Sequence, residues 1–65
     1  MGMSEATKEA LNLTEAALAT GAITADDAAI AQSAIKAADG HDPLIAEWRS
    51  LLNACALGVA QKIKP

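Results

Sequence analysis

DPLIAEWRSLLNACALGVAQKI, residues 42–63, is the stretch from which the fold is read. Leu44, Ile45, Trp48, Leu51, Leu52, Cys55, Val59 and Ile63 recur at helical spacing within an arc of roughly 120°. Glu47, Arg49, Ser50, Asn53 and Gln61 fall outside that arc, and Leu57 projects among the polar residues on the far side. Asp42 reads as the cap, with Pro43 in the first helical position, where its missing N–H costs nothing. The spacing therefore predicts one bulky amphipathic helix over residues 43–63.

Upstream the chain changes character. Seventeen of its 65 residues are alanine, and thirteen of these precede residue 40. Alanine has the highest helix propensity and loses no side-chain entropy on folding. Ser4 as cap and Gly21 as stop bound a first helix over residues 5–20. Its apolar side carries Ala6, Thr7, Ala10, Leu11, Leu13, Thr14, Ala17 and Leu18. Thr24-Ala25-Asp26-Asp27 reads as a capping box, with Ile23 placed to staple onto Ala28. It opens a second helix over residues 25–39, with a wide, shallow face of Ile30, Ala31, Ala34, Ile35, Ala37 and Ala38. Gly40 ends it. The two short turns make neighbouring helices antiparallel. The expected fold is all-α: a single small domain, residues 1–65, forming an Ala-rich three-helix up-down-up bundle. In it two thin helices close around the bulky third.

A core this small supplies about 3–5 kcal/mol, so such domains often need a staple or a second copy. One cysteine excludes an internal disulfide, and one Cys with one His cannot supply the four ligands of a zinc cage. No cofactor or metal site is expected. Asp39-Gly40-His41-Asp42 gathers two carboxylates and an imidazole, but helix ending and capping account for them. The same holds for Asp26 and Asp27 at the start of the second helix. Cys55 reads as a buried thiol, more than three turns from His41 along the helix, and no nucleophile motif or phosphate loop occurs. No catalytic residue is assigned, and the chain is read as a non-enzyme.

Charge is unevenly placed. Residues 1–47 hold all eight acids and only Lys8 and Lys36, whereas residues 48–65 hold Arg49, Lys62 and Lys64 and no acid. Too few bases sit together for phosphate contacts, so no nucleic-acid partner is expected. The polar face of the third helix is poor in Lys and Arg, which disfavours a membrane-surface role. No signal peptide or membrane-length apolar run is seen, and a cytoplasmic setting is expected.

The remaining function class is protein–protein interaction. The expected partner is a second copy, with a dimer the expected assembly. The alternative is a regulatory adaptor docking onto a different protein through the third helix. The candidate interface is Leu44, Trp48, Leu51, Leu52, Cys55, Leu57 and Val59. Trp48, the only aromatic residue, reads either as core filler or as an interface anchor. Full burial would make Trp48→Ala cost about 3–5 kcal/mol.

Overall fold

A computed structural model describes residues 2–58. It contains three helices: α1 (Glu5–Ala19), α2 (Ala25–Ala37) and α3 (Asp42–Ala56). They form an all-α bundle, with α1 packed against both partners and α2 and α3 touching each other least. The start of α1 is hydrogen-bonded to the end of α2 through Ser4 and Asp39, as antiparallel packing of those two helices requires.

Each boundary has a local cause. The Ser4 hydroxyl accepts from the Thr7 backbone N–H at 3.3 Å and starts α1. Thr20 ends it, and Gly21 adopts a φ of 81°. The Gly21 N–H then reaches the Leu18 carbonyl and the Ala22 N–H the Ala17 carbonyl, at 3.1 and 2.9 Å, closing a Schellman motif. This turn delivers Ile23 to the core. The capping box of α2 is complete. The Asp27 N–H donates to the Thr24 hydroxyl at 3.1 Å, and the Thr24 N–H donates to the Asp27 carboxylate at 3.4 Å. Gly40, with a φ of 88°, reverses the chain into α3.

Two expectations about α3 are corrected. Asp42 is its first helical residue, not its cap. His41 occupies the cap position and makes no side-chain capping bond, and Pro43 sits one step further in. The far end comes earlier than the run of apolar residues implied. Leu57 is the C-cap and Gly58 takes a φ of 76°, its N–H bonded to the Cys55 carbonyl at 3.0 Å. A glycine inside a periodic pattern acts here as a stop signal. Val59 and Ile63 lie outside the described residues.

The core also differs from a bulky helix wrapped by thin ones. Its apolar members are Ala10 and Ala17 of α1, Ile23 of the first turn, Ala28, Ala31, Ile35 and Ala38 from α2 and its cap, and Ile45, Leu52 and Cys55 of α3. Large side chains thus come from three places. Only α1 contributes no large aliphatic to the fully buried set. It buries Thr7 and Thr14 instead, at valine-like positions one heptad apart. Both hydroxyls are satisfied, that of Thr14 by donating to the Ala10 carbonyl at 2.9 Å. Among the described residues no buried side-chain nitrogen or oxygen lacks a partner. The radius of gyration, 10.8 Å, matches the value of about 11 Å expected for a compact chain of this length.

Candidate functional site

The seven residues expected to form an interface are divided by the fold. Leu52 and Cys55 are spent on the chain's own core. Leu44 is 42% exposed and Trp48 and Leu51 are half-buried, packed against the core from its edge. Leu57 is 77% exposed at the C-cap, and Val59 lies outside the described residues. Trp48 is therefore neither a sealed core residue nor a free surface residue. Glu47, Trp48 and Leu51 line a shallow depression of about 230 Å³.

Helical geometry places this edge in the bundle. Taking Ile45 as the inward reference, Arg49 lies about 40° to one side, while Trp48, Leu44 and Leu51 lie about 60–120° to the other. Arg49 meets Glu9 of α1 at 3.2 Å, which marks the first side as the α1 flank. Leu44, Trp48 and Leu51 consequently line the α2 flank. The same construction holds on α2. Relative to Ile35, Asp39 lies about 40° toward α1, whose Ser4 and Thr7 it contacts. Ala34, Ile30 and Asp27 lie about 80–140° to the opposite side, toward α3. All three are half-buried. The Ala38–His41 turn is closed by the His41 N–H donating to the Ala38 carbonyl at 2.8 Å. Counting about 1.5 Å per residue back along each helix from this turn sets Ile30 near the level of Leu51, and Ala34 near that of Glu47 and Trp48. The least-packed seam of the bundle is thus an apolar groove, with Ile30 and Ala34 on one wall and Leu44, Trp48 and Leu51 on the other. Leu57 projects on the α1 flank of α3 and does not belong to it.

The charge around the groove is of one sign. Glu47 lines the depression, whereas the Asp27 carboxylate on α2 accepts from the Thr24 N–H in the capping box. None of the bases of the described residues lines the depression: Lys8 is near Glu5 at 3.8 Å, Arg49 is against Glu9, and Lys36 lies about 100° from Ile35 on the side of Asp39.

The second polar constellation is structural. One Asp39 carboxylate oxygen accepts from the Thr7 hydroxyl at 2.6 Å and from the Ser4 backbone N–H at 3.1 Å, and the Ser4 and Thr7 hydroxyls are 2.9 Å apart. The Thr7 hydrogen bond, followed by that from Ser4, holds the Asp39 carboxyl below the ordinary aspartate value of 3.8. Asp39 thus clasps the end of α2 to the start of α1. Local sequence gave no sign of this contact, because its partners are more than thirty positions apart. The one available signal was a threonine on the apolar side of α1, a residue whose buried hydroxyl demands a partner.

No cluster of three or more His, Cys, Asp or Glu side chains able to hold a metal ion occurs among the described residues. No helix among them is long and apolar enough to cross a membrane. Comparison with protein families, characterised proteins and solved structures finds no match to this chain.

Proposed function

We propose that this chain is a protein–protein interaction module that works by docking through the α2–α3 groove, and that it acts on a different protein as an adaptor. The observation that carries this reading is the division of α3. Ile45, Leu52 and Cys55 complete the internal core, while Leu44, Trp48 and Leu51 remain at its edge with the chain's only aromatic residue among them. Half-buried Trp flanked by aliphatics in a groove is the composition that concentrates binding energy at interfaces. Residues 44, 48 and 51 also follow the four–three spacing of a helix–helix seam, which suits a helix laid along the groove.

Docking of a second copy is the other reading, favoured by the small size of the core. The charge pattern weighs against it. Two identical faces meeting across a twofold axis would set Glu47 against a copy of the same acidic face, with no base among the described residues lining the depression to offset it.

A photo-crosslinking residue placed at Leu44, with a second variant carrying it at Leu57 as control, tests the reading in cells that produce the protein. Adducts at position 44 and not at 57, with a mass other than twice that of the chain, are the expected result. A doubled mass assigns the groove to a second copy. Equal labelling at both positions, or none at 44, removes the groove from the account.

A further inference from the structure

Resting on that reading, we infer that the occupant of the α2–α3 groove is an amphipathic helix whose apolar ridge is flanked by lysine or arginine. The groove supplies two complementary features. Leu44, Trp48 and Leu51 form an apolar strip along α3, and half-buried Ile30 and Ala34 lie on the side of α2 turned toward it. The α3 rim of the groove carries Glu47, which lines the depression beside Trp48 and Leu51, and none of the three bases of the described residues lines that depression. A helix presenting apolar residues at i, i+3, i+4 and i+7 fills the floor. A basic residue beside that ridge meets Glu47, whereas an acidic residue there meets like charge. The wider field acts in the same sense, since the chain holds eight acids against five bases, and Lys8 and Arg49 are already opposite Glu5 and Glu9. This field raises the encounter rate of a cationic partner and repels an anionic one.

The test uses the full chain and two helical peptides of about 18 residues, long enough to hold a helix. The peptides are identical in their leucine ridge, lack tryptophan, and carry either lysine or glutamate on both flanks. Trp48, the chain's only tryptophan, reports binding by its fluorescence. The lysine peptide is expected to shift the emission saturably and to bind about fivefold more tightly than the glutamate peptide at 50 mM salt, with the gap closing toward 0.5 M. Glu47→Lys is expected to remove or reverse the preference, and Leu51→Lys to weaken both peptides while Leu57→Lys weakens neither. Equal affinity for the two peptides, or tighter binding of the glutamate form, overturns the basic partner and leaves the docking groove standing. A concentration-dependent Trp48 shift in the chain alone, with no response to either peptide, assigns the groove to a second copy. No response to peptide or concentration overturns the basic helix. If position 44 also yields no crosslink, the docking reading falls with it.

Discussion

Thr7 and Asp39 show how much a single buried hydroxyl decides in a bundle made mostly of alanine. Thr7 is fully buried on α1, yet its Oγ1 reaches the Asp39 carboxylate at 2.6 Å. Replacing it with valine keeps the shape and removes the donor, leaving the carboxylate with one fewer partner. We expect Thr7→Val to lower the urea midpoint of unfolding and Thr7→Ser to retain more of it, even though serine is the poorer volume match; the reverse order would mean that packing outweighs the clasp. The same contact predicts an acid dependence. Asp39 has a lower pKa folded than unfolded, so between the two values the unfolded chain binds more protons. The clasp's contribution is complete above the ordinary value of 3.8 that the unfolded chain has, and is lost as pH falls below it through the folded-state value. Asp39→Asn is expected to flatten this part of the stability–pH curve, read from denaturation midpoints at pH 5 down to 2.5; an unchanged slope would assign acid sensitivity to other carboxylates. The division of α3 is testable residue by residue as well. Leu52→Ala, at a fully buried site, is expected to cost about 2–5 kcal/mol, whereas Leu44→Ala, at a site already 42% exposed, costs less than about 1 kcal/mol. Comparable losses would show that the groove edge is structural rather than reserved for a partner.

At the scale of the helices, caps and stops explain both what was legible in the sequence and what was not. The starts of α1 and α2 could be read because Ser4, Thr24 and Asp27 cap through their own side chains, and such signals are local. At its other end α2 stops at Ala37, two residues before the end expected from Gly40. The start of α3 was read one residue late because Asp42 resembles a cap, while the turn out of Gly40 hands the cap position to His41. The end was read late because Leu57, Gly58 and Val59 continue a plausible apolar pattern. Periodicity alone gives a glycine no weight until its backbone takes a positive φ. The groove was half legible. Leu44, Trp48 and Leu51 were visible as part of a stripe, but a stripe does not show which of its edges a neighbouring helix covers. That needed the positions of Glu9 and Asp39, both set by tertiary contact. The cap assignment carries its own prediction. Thr24→Ala removes an observed capping bond and is expected to cost about 1 kcal/mol, whereas Asp42→Ala loses only the favourable charge of the first turn, a few tenths. Chemical denaturation of the two variants side by side checks this, and an equal or larger loss at Asp42 would restore it as the cap.

The whole molecule poses the question of whether 65 residues need a second copy in order to fold. Ten apolar residues and two threonines are buried within the described chain, and no buried side-chain polar atom there is left without a partner. The radius of gyration is that of a compact chain of this length. Alanine makes this possible, since faces of Ala10, Ala17, Ala28, Ala31 and Ala38 let helix axes approach closely and offset the small volume of each side chain with dense contact. The salt bridges lie at the surface and add little, because exposed pairs contribute about 0.2–1 kcal/mol at most. Stability should therefore belong to the monomer. An assembly that forms only from folded subunits raises the apparent melting temperature with protein concentration, whereas a self-sufficient monomer melts at one temperature. We expect the thermal midpoint to stay constant within about 1 °C from 5 to 500 μM, and Leu51→Lys to leave that flat dependence unchanged. A midpoint that climbs with concentration, and stops climbing in Leu51→Lys, would place a second copy in the groove and make the fold and the docking surface parts of one assembly.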